Sequence, residues 1–264
     1  MNQLRNLNNL LEQLNVKGKL LVYRQKNNKK YELAKWVFDR AIRSGELTPG
    51  QPIVIATAGN FGIGMSILAK KNGNPFYAVA TLSKLHNNAE EVITSYGGKV
   101  IHVPRGLNKS PISVVREKTK ALAEELGAYT YDQFGDETHV KYYKDLAEKV
   151  FEGVDEPIDC YVDRKGSGAT IAGFEKVLKQ KYKSKVFFAI KQDMPLHIQS
   201  DEFLAKTSAK QINPPEGTDL QEFENILKET ERLVNLEYSA LSLFCAVQWL
   251  KQNEGKTAFV FIGD

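Results

Sequence analysis

No stretch of the 264-residue chain is apolar for long enough to span a membrane, so membrane insertion is not expected. It has only two cysteines, Cys160 and Cys245, far apart and each inside an apolar run. That excludes a disulfide framework and reads as two buried thiols in a reducing, cytoplasmic setting. Histidine is scarce too: His86, His102, His139 and His197 show no metal-ligand spacing, and no metal site is expected. The opening segment MNQLRNLNNLLEQLNVKG lacks the uninterrupted apolar core of a signal peptide. Its Leu4, Leu7, Leu11 and Leu14 share one helical face and predict a docked N-terminal helix. Charge of one sign is nearly balanced by the other, with 36 Lys and Arg against 32 Asp and Glu, a net of +4. The lysines are spread along the chain without the clustering and aromatic platforms of a nucleic-acid footprint, so no nucleic-acid partner is expected.

What the chain does have is alternation. Strand patterns at Leu20–Arg24, Ile53–Ala56, Phe76–Thr81, Val100–Val103, Asp159–Val162, Val186–Ile190 and Ala258–Ile262 are interleaved with helical ones. The helices are expected at Tyr31–Ser44, Phe61–Lys71, Ala89–Tyr96, Val114–Leu126, Thr138–Phe151, Thr170–Lys181, Leu220–Leu233 and Ser242–Asn253. Alternation of this kind, with short continuous Val/Ile/Phe strands, predicts an α/β fold of mostly parallel sheets covered by helices on both faces. The stretch Gln192–Gly217 has the weakest pattern and, with Pro214, Pro215 and Gly217, reads as a loop or linker.

In parallel α/β proteins ligands gather where strand C-termini meet helix N-termini. Three such places look chemical. Thr57-Ala58-Gly59-Asn60-Phe61-Gly62 offers two glycines for close backbone approach, a hydroxyl, an amide and helix-opening N–H groups suited to a carboxylate. A tight strand–helix turn capped by Asn60 is the plain alternative. Lys165-Gly166-Ser167-Gly168-Ala169-Thr170 follows a strand and opens a helix, the pattern of a phosphate cradle with hydroxyls from Ser167 and Thr170. It is neither a Walker A loop nor a clean G-x-G-x-x-G, and the strand Val186–Ile190 is followed by Lys191 where a dinucleotide fold wants an acid. Asn27-Asn28-Lys29-Lys30 precedes a helix, where cationic side chains work against the macrodipole. A lysine of lowered pKa there could form an imine with an aldehyde, and a solvated loop lysine is the plain alternative.

In combination these segments resemble the fold-type-II pyridoxal-phosphate enzymes, the family of cysteine synthase, cystathionine β-synthase, the serine and threonine dehydratases and threonine synthase. The resemblance rests on the order of a lysine, the Thr57–Gly62 loop, Gly97-Gly98-Lys99-Val100, Tyr131-Asp132-Gln133-Phe134, the glycine loop Gly166–Thr170, and Glu237-Tyr238-Ser239-Ala240. Gly45-Glu46-Leu47-Thr48-Pro49-Gly50 matches the segment that ends the lysine-bearing helix, and counting back from it without gaps falls on Lys30, with Lys29 one residue away as the alternative. The resemblance implies a tryptophan-synthase-β-like arrangement of two three-layer domains. The small domain would be 35–136, and the large cofactor-binding domain 1–34 plus 137–264, with the cofactor between them.

The resemblance further implies pyridoxal 5'-phosphate as cofactor and a small amino acid as substrate. Lys30 would be the catalytic lysine that holds the aldehyde and shuttles the α-proton, Asn60 would reach the ring oxygen, and Gly166, Ser167, Gly168, Ala169 and Thr170 would bind the phosphate. Ser239 would face the pyridine nitrogen, and Thr57, Ala58, Gly59, Phe61 and Gln133 would receive the substrate. A hydroxyl at the pyridine nitrogen favours β-elimination or β-replacement over transamination. The implied activity is therefore of the cysteine-synthase type on serine, O-acetylserine or cysteine, through an aminoacrylate intermediate, in a homodimer. The chain departs from the family around Lys30, at Phe61, after Gln133, and at Asp163-Arg164-Lys165, where charges replace small or apolar residues. The departures leave a second reading, a catalytically reduced relative that binds cofactor or a protein partner, and a nucleotide-binding α/β protein is the third.

Overall fold

The computed structural model describes residues 4–57, 59–81, 88–104, 111–191, 202–214, 219–236 and 239–263. Ala58, Glu237, Tyr238 and half of the expected 192–217 loop lie outside the described residues. The chain divides into two compact units. One takes in the described residues within Met1–Asn28, Val140–Met194 and Ser200–Asp264, and the other is built on Lys29–His139.

The first unit is organised on a six-stranded sheet of order β1-β2-β10-β7-β8-β9. The strands are β1 (Arg5–Asn6), β2 (Lys19–Arg24), β7 (Cys160–Arg164), β8 (Val186–Ile190), β9 (Lys210–Ile212) and β10 (Thr257–Ile262). Among the described residues only the β1–β2 pair is antiparallel; the other pairs are parallel. All six residues of β10 are buried, which is why a continuous Ala-Phe-Val-Phe-Ile run works there: it packs against helices on both faces. One face carries Val22, Val162, Val260 and Ile262 against α1 (Asn8–Gln13), α8 (Leu220–Glu231) and α9 (Ser239–Gln252). The other carries Tyr23, Tyr161, Phe259 and Phe261 against α6 (Glu137–Val150) and α7 (Ala169–Tyr182). Tyr161, Phe174 and Phe259 form a run of stacked rings with centroids 5.4 to 5.6 Å apart. Gly173 lets α7 approach α6, since a Cβ there would lie 2.5 Å from the Tyr143 Cβ.

The second unit has an all-parallel sheet of order β5-β4-β3-β6. Its strands are β3 (Ile53–Ala56), β4 (Phe76–Thr81), β5 (Lys99–Val103) and β6 (Tyr129–Thr130). Its helices include α2 (Lys29–Ser44), α3 (Asn60–Asn72), α4 (Ala89–Ser95) and α5 (Pro111–Leu126). In α2 the buried residues Leu33, Ala34, Val37, Phe38 and Ala41 form one stripe. Helix α3 stops at Gly73, whose left-handed φ of 74° returns N–H groups to the last turn.

Several boundaries differ from the sequence reading. The expected N-terminal helix is shorter, because Asn6 pairs with Leu21 in β1–β2 and its side chain accepts from the Leu20 N–H at 3.1 Å. Leu7, Leu10 and Leu11 still dock it in the core. Helix α2 starts at Lys29, two residues earlier than expected, so Lys29 and Lys30 are its first turn. Helix α9 starts at Ser239, three residues earlier than expected. Strands β6 and β9 were not read as strands, being too short to show alternation. Among the described residues no helix is long and apolar enough to cross a membrane.

Candidate active site

In the second unit the strand end of β3 assembles most of the expected substrate loop. The Thr57 N–H donates to the Val79 carbonyl at 3.0 Å, extending the ladder by one residue before the chain turns. Gly59 then opens α3 with no side chain capping its first turn. The Thr57 hydroxyl oxygen is enclosed and meets no hydrogen-bond partner among the described residues. Gly62 is required beside it: a Cβ would lie 2.5 Å from the Thr57 Cγ2 and 2.8 Å from its Oγ1. Asn60 is the first helical residue and is half-buried. Phe61 points inward, 2% exposed, with its ring 5.8 Å from that of Tyr131.

Gln133 comes to the same strand end. Its side-chain amide donates to the Ala56 carbonyl at 2.8 Å, and its own backbone carbonyl lies 2.9 Å from His139 Nδ1. His139 is fully buried, and burial pushes its imidazole well below the usual histidine range. The positive charges of Lys30 and Lys29 push the same way, against the Gln133 carbonyl, so both lysines lie within electrostatic reach of this ring. Helix α2 is drawn against α3 at Gly64, where a Cβ would lie 2.9 Å from the Ala34 Cβ and 3.2 Å from the Tyr31 Cα. That approach brings the Lys29-Lys30 turn to the helix that begins with Asn60. His139 and Gly64 were not singled out in the sequence. His139 lies six residues after Gln133, and its lack of metal-ligand spacing hid its part in the site.

In the first unit the glycine loop leaves the end of β7. The Lys165 N–H still pairs with the Ile190 carbonyl at 2.8 Å, and Gly168 then caps α7 at a left-handed φ of 80° with no side-chain cap. A Cβ at Gly168 would press on the Leu204 N at 3.0 Å, while one at Gly166 would meet nothing within 4 Å. The loop thus combines open space, an uncapped helix N-terminus and the small residues Ser167, Ala169 and Thr170. These features fit a phosphate group, whose oxygens would meet the first-turn N–H groups and the positive helix end. Ser239 is the first residue of α9 and is 5% exposed. Asp163 and Lys165, the charged departures seen in the sequence, are both buried. Asp163 accepts from the Tyr161 hydroxyl at 3.1 Å and the Arg164 N–H at 2.7 Å, and Lys165 Nζ donates to Gln211 Oε1 at 3.2 Å. Among the described residues no cluster of three or more His, Cys, Asp or Glu could hold a metal ion.

Solved structures share this fold. That of O-ureido-L-serine synthase superposes with a TM-score of 0.76 over 93% of this chain and 84% of its own, at 20% identity. O-acetyl serine sulfhydrylase isoform 3 from Entamoeba histolytica gives 0.77 over the whole of this chain and 85% of its own, at 19% identity. Both adopt the fold-type-II α/β arrangement expected from the motifs. Among curated proteins, O-acetylserine dependent cystathionine beta-synthase of Bacillus subtilis (strain 168) is 32% identical over 144 residues, 53% of this chain and 45% of the relative. Cysteine synthase of Staphylococcus aureus (strain N315) is 28% identical over 170 residues, 62% of this chain and 52% of the relative. The matched regions span about half the length of these curated relatives. The family model "Pyridoxal-phosphate dependent enzyme" matches residues 3–257, and the chain belongs to that family.

Proposed function

We propose that the protein catalyses pyridoxal-phosphate-dependent β-replacement or β-elimination on a small β-substituted amino acid such as serine, O-acetylserine or cysteine. The observation that carries this reading is that both candidate loops end in helices opened by glycine without a side-chain cap, α3 at Gly59 and α7 at Gly168. Each leaves first-turn N–H groups for an anion, one suited to a carboxylate and the other to a phosphate. The relatives' names, cysteine synthase and cystathionine beta-synthase, support the reaction class.

The cofactor, when bound, supplies an electron sink for the substrate α-carbon. Gly166, Ser167, Gly168, Ala169 and Thr170 would hold its phosphate and Ser239 its pyridine nitrogen. In the other unit Asn60 would hydrogen-bond the ring oxygen. Lys30 would hold the aldehyde through Nζ and then take up and return the substrate α-proton. Thr57, Ala58, Gly59, Phe61 and Gln133 would bind the substrate carboxylate, with the enclosed Thr57 hydroxyl donating to it. His139 is kept neutral beside the lysines and would add no further positive charge there. The buried thiols of Cys160 and Cys245, the latter pushed up by burial to about 11, are inert and consistent with a cytoplasmic location. A homodimer is the further expectation of the resemblance.

The test is turnover. After incubation with cofactor and gel filtration, the protein is given O-acetyl-L-serine with sulfide, and separately L-serine or L-cysteine alone. Formation of cysteine, pyruvate or sulfide that disappears in Lys30→Ala is the expected result. Cofactor retention with no product from any of these identifies the catalytically reduced relative instead.

A further inference from the structure

In the first unit a short strap, residues 203–208, runs along the first turns of α7 before the chain enters β9. It contains one 3-10 turn, Leu204–Lys206, and is closed on itself. The Lys206 N–H donates to the Phe203 carbonyl at 3.2 Å, and the Thr207 N–H and hydroxyl donate to the Leu204 carbonyl at 3.0 and 2.7 Å. Phe203 and Leu204 are buried, and β9 then pairs with β8 in parallel.

The strap is fastened to the glycine loop and its helix. At Gly168 a Cβ would lie 3.0 Å from the Leu204 N and 3.1 Å from the Leu204 Cβ, so the strap's main chain rests on the residue that turns the loop into α7. The left-handed φ of that residue sets where the first-turn N–H groups of α7 point. Further along α7, Glu175 is 4% exposed. Its Oε1 accepts from the Ser208 N–H at 2.8 Å and the Ser208 hydroxyl at 2.9 Å, and pairs with Lys179 of the same helix. Its Oε2 is enclosed with no hydrogen-bond partner among the described residues. At the entry of the loop the buried Lys165 reaches Gln211 of β9, just past the strap, with Nζ donating to Oε1 at 3.2 Å. Burying a carboxylate or an ammonium costs stability unless its bonds compensate, and apolar residues would fill the same space without that cost. Apart from Lys179, the partners that these two charged groups meet come from the strap and the strand it enters.

We propose that this strap is part of the cofactor-phosphate site, with Glu175 and Lys165 as its positioning residues. Glu175 latches the strap onto α7, Lys165 ties the entry of the loop to β9, and the strap so held keeps Gly168 in the turn that aims the α7 N–H groups at the phosphate. This rests on the phosphate role given above to the Gly166–Thr170 loop. Both residues act through the strap and not by contact with the phosphate, which gives the charged departure at Lys165 a purpose. The coupling is reciprocal: a strap in place favours phosphate, and bound phosphate favours the strap. A ligand without the phosphate gains nothing from either.

The experiment titrates the protein with pyridoxal 5'-phosphate and with pyridoxal, which has the same ring and aldehyde but no phosphate, and follows hydrogen exchange in residues 203–208. Glu175→Leu is expected to weaken pyridoxal 5'-phosphate roughly tenfold, the scale of one well-placed hydrogen bond, and to leave pyridoxal within about twofold. Glu175→Gln keeps an acceptor for Ser208 and should stay within about threefold of wild type, and Lys165→Met should lose about threefold for the phosphorylated ligand alone. Ser184→Ala is the control. Its hydroxyl donates to the Ile158 and Leu178 carbonyls past the far end of α7, so it should lower the thermal midpoint without changing the ratio of the two affinities. In wild type, exchange at the Ser208 N–H should slow with pyridoxal 5'-phosphate or inorganic phosphate and not with pyridoxal. Equal losses for both ligands, unchanged affinities in Glu175→Leu and Lys165→Met, or a Ser184→Ala ratio shifted as in Glu175→Leu overturns the proposal. If Glu175→Leu does not fold, Lys165→Met and the exchange at Ser208 decide, and exchange that ignores phosphate overturns it. Where wild type retains cofactor and these results fail, the proposal alone fails. Where wild type binds neither pyridoxal 5'-phosphate nor phosphate, the role of the Gly166–Thr170 loop fails and this proposal with it.

Discussion

Helices α3 and α7 begin differently from α8. Helix α8 opens on Asp219, whose side chain accepts from the Glu222 N–H at 2.9 Å, a self-sufficient cap. Helices α3 and α7 open on Gly59 and Gly168, and neither cap has a side chain to offer. The three helices have the same need for partners at their first turns. At α8 the sequence meets it locally, about 1 kcal/mol of stability in comparable helices. At α3 and α7 it does not, and both of those helices follow the end of a strand that runs parallel to its neighbours, where an anion can meet the need instead. The same contrast recurs in the side chains. The Thr57 hydroxyl, at a strand end, is enclosed without a partner among the described residues, whereas Asn74, at the opposite end of α3, donates to the Thr48 and Gln51 carbonyls, both at 2.8 Å.

The largest effect should come from Gly62, which makes room for the Thr57 side chain. Gly62→Ala places a methyl group 2.5 Å from Thr57 Cγ2, and a destabilisation of about 1–3 kcal/mol is expected in denaturant unfolding. Next is His139. Its folded-state pKa is depressed, so the unfolded chain binds the proton first. Stability is then full above about pH 6.5, the unfolded value, and falls as pH drops below it, by up to about 1.4 kcal/mol per pH unit until the folded value is reached. In His139→Gln that portion of the slope should be absent; a wild-type stability that is unchanged from pH 7 down to pH 5 would contradict it. The smallest effects test the caps directly. Asp219→Ala should cost about 1 kcal/mol and leave cofactor retention unchanged. Gly59→Asp should gain a few tenths of a kcal/mol while weakening binding of the amino acid, because the new carboxylate occupies the N–H groups its substrate needs. Equal functional effects from the two cap changes would erase the distinction between the helices.

The alternation of apolar runs with amphipathic stretches made the α/β class legible, since buried parallel strands such as β3 and β10 need uninterrupted apolar residues. Strands β6 and β9 were not legible, because two or three residues held by their neighbours carry no period. The loops at Thr57 and Gly166 could be read because glycine and small hydroxyl residues after a strand have few other uses. Lys30 could be read only through the order of the surrounding motifs. His139 and Glu175 could not be read at all. Their importance comes from partners distant along the chain or contributed by other elements: the charge of Lys30 for His139 and the Ser208 N–H and hydroxyl for Glu175.

The most direct measurement of the account is the identity of the lysine that carries the cofactor. Protein loaded with pyridoxal phosphate is reduced with borohydride, digested and mapped by mass spectrometry. The account predicts a pyridoxyl phosphate group on Lys30, lost in Lys30→Ala and kept in Lys29→Ala. A label on any other residue, or no label on protein that has been exposed to the cofactor, would contradict it.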